Sequence, residues 1–451
     1  MQIENENSIG TGILKSYRWQ VIAPMMLVMY MFAYLDRTNI SFALSGIEES
    51  FAVTSSVSGF ITGIFFIGYM ILQVPAGHLA SHKSAKRNIL ILGILLGVFS
   101  SLQGFANNIT IFIIMRFLLG VAEGGMLPTM YVLVNNWFPA RERGRATSTF
   151  MLYQALAPLV MSPVSGYMVA SLNWAELPGW RWMFILQGIP AVIFAIVFYI
   201  VVPDHPKWAT SKKFSEQERL YLLAELDREA KEEKVVKEKT YWKAALNSSF
   251  ILTTLAWLGM VIGNYGIFMW MPVIIEKTSS LGYTAIGFIS MLPWIAATVG
   301  MIAVGIINDK WRNRKGLLAI LQTMSGVSIL LLLVVSTVNF WLTILFLTIA
   351  VTGAVSASAV YLSSLSDLIP SGLLGGLTGV FSAVGNLGGF IGPVVVGALM
   401  SKASQTGGSE LNGGMGFIAI VYFIAAILIL FVKSQKKKDM GKEYKVTAKE
   451  G

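Results

Sequence analysis

The sequence contains no cysteine, which excludes disulfides, thiol catalysis and thiolate metal sites. Histidine is nearly as scarce. His78, His82 and His205 fall at or beyond the ends of apolar stretches and are too scattered for a metal set, so they read as solvated loop residues. Charge is low as well: Asp, Glu, Lys and Arg make up 13% of the chain, against about a quarter in soluble domains. No phosphate-cradling loop is present. The glycines of GGLTGVFSAVGNLGG lie inside an apolar stretch, not between a strand and a helix, so neither ATP hydrolysis nor a bound cofactor is expected. The chain opens on a polar, acidic segment, and its first apolar stretch is too long for a signal peptide.

Apolar residues make up 55% of the sequence and the mean hydropathy is +0.66. A membrane-spanning helix needs about 20 predominantly apolar residues. Twelve stretches meet that need, at 19–43, 54–80, 89–107, 109–137, 146–171, 182–202, 247–275, 284–307, 316–338, 340–366, 372–400 and 412–432. They are far longer than the roughly ten-residue alternating strands of a membrane β-barrel. The fold class is therefore an all-α polytopic membrane protein with twelve transmembrane helices. The formal net charge of +10 suggests nucleic acid until its distribution is read. If the loops alternate sides, 29 of the 34 Lys and Arg fall on one side and three on the other. That asymmetry puts both termini in the cytoplasm, in a cell-membrane protein. The partner of the basic face is then the anionic lipid surface, not nucleic acid.

One long polar segment, 203–246, separates six spans from six. The expected organisation is a cytoplasmic N-terminus (1–18), a six-helix bundle (19–202), a cytoplasmic linker (203–246), a second bundle (247–432) and a basic tail (433–451). The linker contains a mixed-charge stretch that reads as a solvated segment with local helix. The halves echo each other. Gly77, Ser81, Lys83, Lys86 and Arg87 follow the second span, and Gly305, Asp309, Lys310, Arg312, Arg314 and Lys315 follow the eighth. Duplication about a central loop is the footprint of a transporter built from two pseudo-symmetric bundles.

Four ionisable residues lie well inside spans: Asp36, Arg37, Arg116 and Glu123. An Asp or Arg at a helix centre costs at least about 2.5 kcal/mol, so each is a functional candidate, with a purely structural ion pair as the plain alternative. Tyr34, Arg37 and Ser41 share one face of the first helix, and Asp36 points about 100° away from it. Arg116 and Glu123 share a face of the fourth. Arginine holds a carboxylate through two parallel hydrogen bonds, and a desolvated acid can exchange protons near neutral pH. Protonating Asp36 or Glu123 would remove a competing anion and release Arg37 for substrate.

Several motifs sharpen this reading: YLDRTNIS (34–41), the segment 69–77, the run 116–146 that begins RFLLGVAEGG, GWRWMFILQGIPA (179–191) and GNLGGFIGP (385–393). Together they resemble the anion:cation symporter family of the major facilitator superfamily, over nearly the whole chain outside the termini and linker. The resemblance implies the major facilitator fold, with Asp36 and Glu123 as proton-coupling acids and Arg37 as the substrate-carboxylate ligand. It also implies substrate contacts at Tyr69 and Gln154; Tyr34, on the Arg37 face, is a further candidate contact and Arg116 a candidate member of the charge network. In the second half, Tyr361, Ser382 and Asn386 are candidates for the opposite wall, as are Asn264, Tyr265 and Trp270. Ser382 stands where family members often have Asn. Ser81 replaces the usual Asp of the loop motif, while Asp309 keeps it. Asp309, Arg314 and Asp367 are candidate gate or latch residues.

The expected function is proton-coupled uptake of a small organic anion, a sugar acid first and an aromatic carboxylate second. No enzymatic activity or metal is expected, and a monomer is the expectation of the fold. Efflux by antiport and a non-transporting membrane sensor are weaker alternatives. The linker and tail are too short for a sensor's output domain.

Overall fold

Apolar residues spaced to face both lipid and protein leave a chain in hydrocarbon one economical choice, the α-helix, because every backbone polar group must be bonded internally. The computed structural model describes residues 16–210, 214–232, 238–311, 313–369 and 371–433, and within them it contains helices and no strand. In chain order these are α1 (Arg18–Phe51), α2 (Ser55–His82), α3 (Ala85–Gly104), α4 (Ile109–Trp137), α5 (Ala140–Met151), α6 (Tyr153–Ser171) and α7 (Gly179–Val201). Two polar helices follow, α8 (Glu216–Glu232) and α9 (Glu238–Ala245). The second half contains α10 (Ser248–Lys277), α11 (Tyr283–Lys310), α12 (Arg314–Val335), α13 (Phe340–Leu368), α14 (Ser371–Gln405) and α15 (Glu410–Leu430). Asn side chains cap several starts: Asn108, Asn247 and Asn339 accept from the backbone N–H of Ile111, Ser249 and Leu342.

Among the described residues, eleven helical stretches are long and apolar enough to cross a membrane, one fewer than the sequence suggests. The difference lies at the expected span 146–171. The chain is helical there, but it is divided at Leu152 into α5 and α6, and α6 contains Pro158 and Pro163. Tyr153, Gln154, the prolines and several serines lower its apolarity, and its backbone is kept intact by the protein around it. Two other helices are also interrupted, α1 at Asn39 and α4 at Gly125. At the α4 break α2 passes so close that a Cβ on Gly124 would lie 1.9 Å from the carbonyl oxygen of Tyr69.

The chain divides into two compact units. The first gathers residues 16–37, 68–157 and 183–232 of the described chain; the second gathers 38–67, 158–182 and the described residues from 238 onward. In the first, α3 packs along α4. In the second, α10 packs on α14 and α15, α12 lies against α13 and α15, and residues 40–51 of α1 rest on α10.

The segment 203–246 is more than a solvated linker, because α8 is docked on the first unit by ion pairs. Glu218 accepts from the Tyr17 backbone N–H and from Arg18 at 2.6 Å, while Arg18 also grips Glu142 through Nε and Nη2 at 3.0 and 2.8 Å. Glu229 bonds Arg143 and the backbone N–H of Ala140, one of the unsatisfied donors at the start of α5. Asp204 does the same for α3: it accepts from Ser84 at 2.5 Å and from the Lys86 N–H at 2.6 Å. The loop whose usual Asp is Ser81 is thus tied down from the linker. Ser81 itself donates to the His78 carbonyl.

Gly124→Ala should destabilise the protein by about 1–3 kcal/mol, the usual cost of overpacking. Gly144→Ala, whose Cβ meets nothing within 4 Å, should be neutral. Thermal unfolding in detergent, monitored by tryptophan fluorescence, compares them.

Candidate functional site

The site grows from the two interrupted helices α1 and α4. Arg37, two residues before the α1 break, points its Nε at Glu123 Oε1 across 2.5 Å, and the Glu123 side chain is fully buried. The second carboxylate oxygen, Oε2, is buried and accepts no hydrogen bond. An unpaired guanidinium or carboxylate at this depth would carry most of its desolvation cost; each ion here is offset by the other.

The neighbouring acid Asp36, about 100° around α1 from Arg37, accepts from Ser100 on α3 at 2.6 Å. Arg116 donates from Nη1 to the backbone carbonyl of Asp36 at 2.7 Å. Arg116 and Glu123, on one face of α4, therefore meet different parts of α1: Arg116 fixes its backbone and Glu123 takes its arginine.

Aromatic rings complete the surroundings. The Arg37 guanidinium lies 4.3 Å from the centroid of Tyr69 and 5.4 Å from that of Tyr34, within cation–π range. Behind them Tyr30 places its hydroxyl 3.4 Å from that of Tyr69 and its ring 4.2 Å from Tyr153. Gln154, half-buried, has its amide nitrogen 3.4 Å from the Tyr153 hydroxyl. Of the residues anticipated from sequence, Tyr34, Asp36, Arg37, Tyr69, Arg116, Glu123 and Gln154 all belong to the first unit.

The second unit holds the others. Tyr361 on α13 is fully buried and accepts from Gln322 on α12, with its ring 5.5 Å from that of Trp257. Asn264 accepts from Tyr422 at 2.8 Å, Trp270 is buried, and Tyr265 packs edge-on against Phe66. Ser382 and Asn386 are half-buried on α14. Arg314 pairs with Asp367 at 2.5 Å and donates to the Ser363 carbonyl, which joins the start of α12 to the end of α13. The Asp309 side chain lies outside the described residues.

Sequence reasoning missed Ser100, Tyr30 and Tyr153. Tyr30 sits seven residues before Arg37, on its face of α1, so helical spacing alone could have found it. Ser100 carries no signal in an apolar helix until α3 is placed beside Asp36. No group of three or more His, Cys, Asp or Glu able to hold a metal exists among the described residues.

The same arrangement of helices occurs in known structures, and the sequence matches a known family model. The model of the Major Facilitator Superfamily matches residues 26–393 and 280–448. The chain belongs to the Major Facilitator Superfamily. Its fold resembles that of a D-xylose–proton symporter, with a TM-score of 0.74 at 16% identity over 92% of this chain and 98% of that one. In sequence it is 31% identical over 436 residues to a protein of Agrobacterium vitis named "Putative tartrate transporter", covering 96% of this chain and 94% of the relative. A "Probable galactarate/D-glucarate transporter GudP" of Escherichia coli K12 is 25% identical, covering 93% and 94%. A "Quinolone resistance transporter" of Acinetobacter baumannii is 27% identical, covering 94% and 96%. The chain is thus a multi-pass membrane protein of secondary-transporter type, and its relatives include organic-anion carriers, in keeping with the anion:cation symporter resemblance.

Arg37→Ala should destabilise the protein by about 3–5 kcal/mol, because it leaves Glu123 buried and unpaired. Adding Glu123→Gln should recover most of that loss. Thermal unfolding of the two single variants and the double variant checks both, and full additivity would deny the pairing.

Proposed function

We propose that this protein is a proton-coupled symporter that takes up a small organic anion, and that its substrate is a hydroxylated mono- or dicarboxylate of the sugar-acid class. The observation that carries the reading is the buried Arg37–Glu123 pair with a free oxygen at Glu123 Oε2. A carboxylate substrate replaces Glu123 on the guanidinium once a proton has settled on the acid, so the proton and the anion favour each other's binding. Asp36, turned to Ser100, is the second acid able to carry a proton without touching the substrate. Arg116 holds the Asp36 backbone in register.

Hydroxyl and amide groups at Tyr34, Tyr69 and Gln154 suit a polyhydroxylated chain, with Tyr361, Ser382 and Asn386 as the proposed contacts from the second half. The names of the tartrate and galactarate/D-glucarate relatives agree with that class. The Arg314–Asp367 pair lies on the side of the basic loops and acts as a gate latch there, with Asp309 beside it in the chain. In this reading both termini face the cytoplasm, the halves 19–202 and 247–432 rock about the site, and the monomer is the working unit. A second reading, an aromatic carboxylate as substrate, is favoured by the rings of Tyr30, Tyr34, Tyr69 and Tyr153 around Arg37.

Uptake into proteoliposomes of radiolabelled tartrate, galactarate, glucarate, galactonate, glucuronate and hydroxyphenylacetate, with and without an inward pH gradient, tests both readings. Gradient-stimulated accumulation of one acid is expected. Glu123→Gln should abolish the stimulation while sparing exchange of the same acid across the membrane. Accumulation that ignores the gradient would remove the proton from the mechanism.

A further inference from the structure

At the helix ends remote from the basic loops, the second unit contains a polar contact between first-half and second-half helices. Glu276, at the end of α10, accepts a hydrogen bond from Ser45 on α1 at 2.5 Å and from Tyr283 on α11 at 2.7 Å. The adjacent Lys277 does not neutralise it, because Lys277 is paired with Glu410 at the start of α15. Two hydroxyls on one carboxylate make charge-assisted hydrogen bonds, roughly twice as strong as neutral ones.

The packing around this contact is of another kind. Gly59 approaches the Pro393 carbonyl so closely that a Cβ would lie 2.4 Å from it, and Gly166 approaches the Tyr283 carbonyl equally closely. Such glycine crossings are shape contacts without direction, and they can separate without leaving a buried charge. The segment of α1 that presents Ser45 is braced from behind. The Trp180 ring fills the space left by the missing side chain of Gly46 and donates to Ser50 at 3.1 Å. Arg181 lies over Phe51 and Trp180, at 5.4 and 4.7 Å. Two members of the GWRW motif thus tie the end of α1 to the start of α7.

We infer that Glu276 is the acceptor of a hydroxyl latch, with Ser45 and Tyr283 as its donors, that holds the side remote from the basic loops closed. A hydrogen bond at 2.5–2.7 Å is lost once the partners part by about 1 Å more. A small swing of the α1 end releases it, and half-buried Glu276 is then hydrated, so the break is reversible. Ser45 stands eight residues beyond Arg37 on α1, so the helix that would hold the anion also carries the latch. The inference rests on alternating exposure of a site in a secondary transporter, and not on which anion is carried.

The natural absence of cysteine makes the test direct. Ser41 is buried one turn before Ser45 on the same face, and Ser41→Cys is nearly isosteric. In proteoliposomes its rate of reaction with an impermeant thiol reagent, applied to the side remote from the basic loops, reports opening there. A hydrogen bond to a charged group is worth roughly tenfold or more in an equilibrium, so Ser45→Ala and Tyr283→Phe should each raise the rate about tenfold. Ser45→Thr, which keeps the hydroxyl, should leave it unchanged. Equal rates in all variants, with the protein folded and monodisperse, would overturn the latch. So would lower thermal stability at an unchanged rate, because that is the mark of packing alone. Either donor variant suffices if the other fails to fold.

Discussion

A guanidinium removed from water must find its counter-charge within a few ångströms, and in this protein that requirement organises one unit. Arg37 meets Glu123 only if α1 and α4 lie side by side at the depth of the pair. Arg116 sits two turns from Glu123 on α4 and finds the Asp36 carbonyl, so the same pair of helices is fixed at a second point. Tyr34 and Tyr69 cover the guanidinium with ring faces where water would otherwise stand. Gly124 allows the α2 backbone to approach closely enough for Tyr69 to reach it. The interruptions at Asn39, Gly125 and Leu152 fall within a few residues of Arg37, Glu123 and Gln154.

The same electrostatic logic operates at the basic end with a different outcome. Arg18 is buried between Glu142 and Glu218, and Glu229 caps α5 while holding Arg143. Here the ions join the polar helix α8 to the starts of α1 and α5, the chains that lead to Arg37 and Gln154. The acids of this cluster reach water and can rehydrate, whereas Glu123 is fully buried and would be left uncompensated by separation from Arg37. That contrast is why one set of ion pairs serves as a brace and the other is proposed as a coupling device.

The sequence by itself determined the helical membrane class, most of the spans and the four intramembrane charges, because hydropathy and the cost of buried charge are local properties of a chain. It also determined that Asp36 sits about 100° around its helix from Arg37, since helical spacing sets directions. The division of 146–171 at Leu152 is not legible in the sequence, because the packing that accommodates Gln154 and the two prolines comes from neighbouring helices. The tertiary structure alone decided the partners. Glu123 takes Arg37, Ser100 bonds Asp36, and Arg314 takes Asp367. It also turned α8 from part of a solvated linker into a docked helix, because the carboxylates of Glu218 and Glu229 find their cations more than 80 residues away in the chain. A pairing depends on which helices become neighbours, and that is settled by packing over the whole unit, where no local pattern can reach.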